Sequence, residues 1–467
     1  MDRKWWTLAG ACAGLFILML DSTVVALALP SIRRDVDASA EGLQWVMNAY
    51  LLTIAVLVVT AGRLGDMFGR KRVFLAGLVL FAIGSVVSGA AQGQGMLILG
   101  RVLQGAGAAP MLSLSLALVC NVFPSEEQPR ALGIWAAVSA IALAIGPLAG
   151  GLLIELDWRV IFWMNLPILA LGFAITTAAA PESTDPAAGT RIDWLGLALL
   201  STGVTAGVLA LVQSQAWGAE AIVALALAAV ILIAVFWRVE HRVGEPIVEF
   251  ALFRNRPYFG ASAAAFALVG CYWAVMFFQP QYLQDVRGHS PILSGLMILP
   301  VTVPMIFVSP FSGRLIARFG ARRLMTTGML FGTVGLLVLT QIDASSPYGL
   351  LLVGYLLFGI ALGLVYAPMS TAAMAAMPGD KVGIASGVLA MDRVLAGAVA
   401  LAATGAAFHA LLGDGHSFAT AVAGSTWVAV VLCAAGTALT WRFVRDPEQG
   451  SSPGELRHHM HHKRFHL

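Results

Sequence analysis

Fourteen apolar stretches, each close to the thickness of a bilayer, constrain this chain more than any other feature. About 20 consecutive apolar residues cross a membrane as a helix, and in lipid a helix satisfies its own backbone hydrogen bonds. The spans are expected near 7–29, 43–61, 73–91, 96–119, 131–153, 160–180 and 194–212, then 220–237, 258–283, 291–312, 324–341, 348–372, 383–411 and 419–441. Composition agrees: 59% of the residues are hydrophobic and only 11% charged, against about 25% charged in soluble domains. The 49 glycines suit helices whose backbones pack closely in lipid. The opening "MDRKWW" leads into an apolar stretch too long for a signal-peptide core and without an A-x-A-like exit, so it is read as the first span.

An even number of spans puts both termini on one side. Of the 28 Lys and Arg, Arg33, Arg34, Arg159 and Arg287 fall on the opposite side and Arg101 and Arg393 inside spans. All the others lie on the side of the termini, which predicts cytoplasmic termini and a multi-pass protein of the cell membrane. Cys12, Cys120, Cys271 and Cys433 stand singly in apolar runs, without the C-x-x-C spacing of metal or redox sites. No metal site is expected, and "HHMHH" (458–462) reads as part of a solvated polar tail.

One stretch concentrates charge. "GRLGDMFGRKR" (62–72) holds Arg63, Arg70, Lys71, Arg72 and Asp66 between apolar runs. Shifting the chain by 251 residues sets "GRLGDMFGRKRVFLAG" (62–77) over "GRLIARFGARRLMTTG" (313–328), with seven of sixteen positions identical. Each copy lies between the second and third helix of a group of six. The chain therefore reads as an N-terminal six-helix half (1–185), two inserted helices with polar linkers (186–245), a C-terminal six-helix half (246–445) and a His-rich tail (446–467). Repeated halves around a central site are the plan of secondary transporters.

These residues resemble the major facilitator superfamily. "GRLGDMFGRKR" resembles its motif A loop, "LDSTVVALALPSI" (20–32) the first-helix signature of its drug/proton antiporters, "RVLQGAGAA" (101–109) its motif B, and "GPLAGG" (146–151) its antiporter motif C. With "DWRVIFWMNLP" (157–167) and fourteen spans, the likeness is to the fourteen-helix multidrug exporter branch. It implies an all-α major facilitator fold. It also implies a gating role for Gly62, Arg63, Gly65, Asp66, Gly69, Arg70, Arg72 and Arg314, and an outer-gate helix carrying Gly146, Pro147, Gly150 and Gly151. In the residues themselves, glycines allow close approach, and a carboxylate at Asp66 near a helix N-terminus is favoured by the dipole and can pair with an Arg. Ala317 replaces that acid in the second copy, so the latch is expected to be asymmetric.

Asp21, Arg101, Asp392 and Arg393 lie inside spans, where each ionisable group costs roughly 2.5–3.5 kcal/mol on insertion scales. At about 1.5 Å per residue, Asp21 lies about 12 Å and Arg101 about 8 Å below the outer ends of their helices. An Asp21–Arg101 pair that alternates with protonation of Asp21 is therefore expected, since burial and a nearby cation move a carboxyl in opposite directions. Asp392 and Arg393 are adjacent, point about 100° apart on a helix and should have different partners. Asp392, about 14 Å from the cytoplasmic end, suits a second proton or a cationic substrate. Asn48, Tyr50, Trp135, Asn165, Tyr272, Trp273, Phe277 and Gln281 are candidates to line a cavity, and Glu155 to border the outer vestibule.

None of the four lysines, Lys4, Lys71, Lys381 and Lys463, follows a glycine, so the chain has no phosphate-binding Gly-Lys loop. No H-E-x-x-H helix points to an enzyme. The expectation is a monomeric proton-coupled antiporter with no cofactor beyond the proton gradient. It would export amphiphilic drugs, dyes or antibiotics by alternating access, with cationic ones suited, and its partners would be that substrate, protons and the surrounding membrane lipid. Export of a lipid or secondary metabolite is the alternative, and a non-transporting scaffold or sensor a remote one. A net charge of +3 points to no nucleic-acid partner.

Overall fold

The computed structural model describes residues 2–124, 126–184, 192–214, 216–244, 246–377 and 382–444. The polar tail and most of the linker around 185–191 lie outside the described residues, as does Lys381. The fold is all-helical, and fourteen helices among the described residues are long and apolar enough to cross a membrane. Before the insertion the helices are α1 (Arg3–Val36), α2 (Ala40–Phe68), α3 (Arg70–Gly89), α4 (Gln94–Val122), α5 (Gln128–Ile154), α6 (Val160–Trp163) and α7 (Asn165–Ala179). The inserted pair is α8 (Trp194–Val212) and α9 (Ala219–Glu240). There follow α10 (Arg256–Gln281), α11 (Pro291–Val308), α12 (Ser312–Phe319), α13 (Ala321–Leu339), α14 (Tyr348–Ala375), α15 (Val382–Gly413) and α16 (Phe418–Phe443).

Two expected spans are interrupted. The span expected over 160–180 turns at Met164, separating α6 from α7. The span expected over 291–312 carries Pro300 and Pro304 and ends at Val308, where a 3₁₀ turn at Ser309–Phe311 leads into α12. Proline removes a backbone donor and crowds the preceding turn, which favours such breaks.

Helix packing repeats with the sequence. In the N-terminal half α1 packs on α4, α5 and α7, and α4 on α2 and α3. In the C-terminal half α10 packs on α14, α15 and α16, and α14 on α11 and α13. Matched glycines make close crossings in both halves. A Cβ at Gly84 would stand 2.8 Å from the Gly100 carbonyl, and one at Gly335, 251 residues on, 2.8 Å from that of Gly354. The halves meet through α1 on α10, α2 on α15 and α5 on α11. The inserted helix α8 packs on α2 and α15, and α9 packs on α8 with most of its apolar surface outward.

Candidate functional site

The buried charges of the N-terminal half converge on Asp21. Arg101 and Gln104, three residues apart on α4, share a helix face. Arg101 Nη1 donates to Asp21 Oδ2 at 2.5 Å and to Gln104 Oε1 at 2.8 Å. Gln104 Nε2 donates to Asp21 Oδ1 at 3.1 Å and to Ser85 Oγ of α3 at 2.9 Å. Asn165 Nδ2 donates to Asp21 Oδ1 at 2.8 Å. The turn at Met164 makes Asn165 the first residue of α7. Arg101 Nε donates to the Val46 carbonyl of α2, and its guanidinium lies 4.0 Å from the centre of the Tyr50 ring. Asp21 is 1% exposed and Arg101 fully buried.

Five helices thus fix one ion pair. Charge-assisted bonds of this kind are the strong ones; both Asp21 oxygens are used, while among the described residues Arg101 Nη2 is buried with no hydrogen-bond partner. The pairing expected from depth is present. Asn165 and Tyr50, expected as cavity lining, instead hold Asp21 and Arg101. Gln104 and Ser85 were not expected at the site. The signal available for Gln104 was its i+3 spacing from Arg101 in "RVLQ", while Ser85 carries none in the sequence.

The C-terminal charges are arranged differently. Asp392 Oδ2 accepts a hydrogen bond from Ser262 Oγ of α10 at 2.9 Å. Arg393 turns to α14, donating to Ser370 Oγ at 3.3 Å with its guanidinium 5.4 Å from the Tyr366 ring centre. The two neighbours have separate partners, as their 100° separation implied.

At the end of the bundle opposite the termini, the halves close on each other. Gln44 of α2 meets His409 of α15 at 3.0 Å, and Gln284 Nε2 donates to the Leu27 carbonyl at 2.9 Å. On α5, Gly146 and Gly150 lie against Thr23 and Val24 of α1, while Gly151 faces Ile292 of α11 and the Pro147 carbonyl faces Gly295. The motif with Pro147 therefore forms a seam between the halves.

At the termini-bearing end, Gly69 has φ +114° and its repeat partner Gly320 φ +82°, a backbone region open to glycine. Asp66 accepts from Arg70 Nε at 2.8 Å. The expectation that Asp66 sits at a helix N-terminus needs correction. Asp66 lies in the last turn of α2, and Glu182 occupies the N-terminus of α3, accepting from the amides of Lys71 at 3.0 Å and Arg72 at 3.2 Å. Gly62 and Gly65 abut Ser113 and Leu114 of α4, Arg63 lies on α2, and Arg314 is exposed on α12.

Of the other lining candidates, Trp135 Nε1 donates to Ser115 Oγ at 3.2 Å, and Gln281 Nε2 donates to the Phe277 carbonyl. Tyr272 packs edge-on to Trp273, and Phe277 on Phe278. The side-chain amide of Asn48 is buried and has no hydrogen-bond partner among the described residues. Glu155 follows α5 at the mouth of the seam.

Paired helical halves around buried, ionisable side chains are the plan of a multi-pass membrane transporter. The sequence profile of the Major Facilitator Superfamily matches residues 11–401, and the chain belongs to that family. It is 36% identical over 410 residues to the multidrug resistance protein Stp of Mycobacterium tuberculosis, covering 87% of this chain and 76% of that protein. It is 34% identical over 419 residues to the tetracenomycin C resistance and export protein of Streptomyces glaucescens, covering 88% and 77%. Among solved structures, an auto-inhibited peptide transporter of the POT family shares the fold at TM-score 0.70 and 16% identity, over 96% of this chain and 98% of that one.

Proposed function

We propose that this transporter exports amphiphilic drugs or antibiotics in exchange for protons, by alternating access between the two halves. The observation that carries the proton coupling is the Asp21–Arg101 pair. As an anion, Asp21 accepts from Arg101, Gln104 and Asn165. A proton on that carboxyl removes the charge partner of Arg101, which keeps Gln104, the Val46 carbonyl and the Tyr50 ring as contacts. Proton binding is thereby tied to how α1, α4 and α7 fit together. The exported class rests on the resistance and export proteins to which the chain is similar.

With Lys and Arg marking the cytoplasmic side, the closed seam at Gln44, His409 and Gly151 faces outward. The loop with Asp66 and Arg70 then engages the opposite half when the inner side closes. The energy source is the proton gradient, with no cofactor.

Reconstitution in liposomes with an imposed pH gradient tests this reading. Wild-type protein is expected to move a fluorescent lipophilic cation uphill, and Asp21→Asn to leave it at the level of protein-free vesicles while remaining folded. Uphill transport retained by Asp21→Asn would remove Asp21 from coupling.

A further inference from the structure

Asp392 opens into a cavity that the coupling reading does not use. About 240 Å³ in volume, it lies between α10, α15 and α16 and is lined by Phe253, Phe259 and Phe266 together with Ser262, Asp392 and Ala435. Asp392 is the one charged group in its lining. Ser262 donates to one carboxylate oxygen, and among the described residues the half-buried Asp392 forms no ion pair. Arg393 is drawn to α14.

The position of the cavity is unusual for an acid. The helix α16 packs on α10, α13 and α15, and so belongs to the outer ring of its half; α1 packs on another face of α10. Ala435 is exposed and Phe259 and Phe266 are half-buried, so the cavity opens on the flank of the bundle. Ser262 lies six residues into α10, about 9 Å from the termini-bearing end. A carboxyl facing hydrocarbon either holds a proton or needs a counter-charge. Three phenyl rings beside it attract a cation through their faces and take up apolar surface. The apolar rings favour an organic cation over water or a small hydrated ion.

We propose that this flank cavity is a membrane-side binding site for the ammonium group of a lipophilic cation. The site is distinct from the Asp21–Arg101 centre and rests on the export reading for its purpose. The carboxylate of Asp392 pairs with the charge while the phenyl rings and Ala435 border the apolar body. The same chemistry is offered by a cationic drug dissolved in the inner leaflet and by the amine headgroup of a phospholipid.

The test is equilibrium binding of radiolabelled benzyltributylammonium to the full-length protein in dodecyl maltoside, with no pH gradient, so that failure of proton coupling leaves the result untouched. Asp392→Asn, and Ala435→Trp, which fills the cavity from the lipid side and leaves the acid in place, are each expected to weaken binding about tenfold or more. Monodisperse elution of both variants checks that they fold. The uncharged carbon analogue is expected to bind far more weakly than the cation. Competition by added phosphatidylethanolamine, seen in wild type and lost in Asp392→Asn, would assign the site to lipid amine, and absence of competition would assign it to free cations. Wild-type affinity in Ala435→Trp, or equal binding of the neutral analogue, would overturn the proposal.

Discussion

In the N-terminal half, Asp21 is enclosed by Arg101, Gln104 and Asn165, with Ser85 and Tyr50 completing the shell. In the C-terminal half, Asp392 takes a hydrogen bond from Ser262 and borders an open cavity, while Arg393 is held on another helix face. The helix pairs of the two halves repeat, but the acids stand at different places in the repeat: at the 251-residue register Asp21 of α1 falls over Tyr272 of α10, and Asp392 of α15 over Ile141 of α5. An acid locked to a buried cation responds chiefly to loss of its own charge. An acid facing an opening responds to what arrives there. The proposed division between coupling and recognition rests on what surrounds each carboxylate.

The largest effect that would break this contrast is in stability. Removing one partner of a buried pair leaves an uncompensated charge, at roughly 3–5 kcal/mol. Asp21→Asn should lower the thermal unfolding temperature in detergent sharply, and the double variant Asp21→Leu/Arg101→Met should recover most of it without restoring transport. An Asp21→Asn protein as stable as wild type would show that the pair is not the fixed centre described above. Next in size is the seam. Gly151→Leu places a side chain against Ile292, and overpacking of this kind costs about 1–3 kcal/mol. It should hold the halves apart there, slow export at least several-fold, and raise labelling of a cysteine placed at Ser294.

Gly69→Ala and Gly320→Ala test whether the two repeats are alike where their backbones agree. Each puts a side chain at positive φ, and each should lose about 1–3 kcal/mol, read as matched shifts in unfolding temperature. Asp392→Asn sharpens the contrast from the other side. Having no ion-pair partner among the described residues, it should change stability by about 1 kcal/mol or less, far less than Asp21→Asn in the same assay. Smallest is Asp66→Asn. The Asp66–Arg70 pair is partly exposed, so its loss should cost only a few tenths of a kcal/mol, while transport measured in the same preparation falls if the loop gates.

Charge and spacing carried most of what could be read before the structure. The fourteen spans and the Asp21–Arg101 pairing were legible because an ionisable residue in an apolar run has few affordable surroundings and helix rise gives its depth. Uncharged polar groups were not. Asn165 and Gln104 bind Asp21, whereas Gln281 bonds its own helix, and all three are amides in apolar sequence that only packing tells apart. Gln44 and His409 stand 365 residues apart, and no local pattern links them. The role given to Asp66 belongs partly to Glu182, which lies more than a hundred residues away in the chain and reaches α3 through the end of α7.

The inserted pair α8 and α9 also has a mechanical consequence. Helix α8 rests on both α2 and α15, one from each half, and α9 covers it with Val223, Leu227, Val230 and Ile231 turned outward. Any rocking that parts α2 from α15 must shear α8 along one of them. In the alternating access proposed above, a hairpin placed this way would act as a sliding gasket, keeping acyl chains out of the crack between α2 and α15 as it widens.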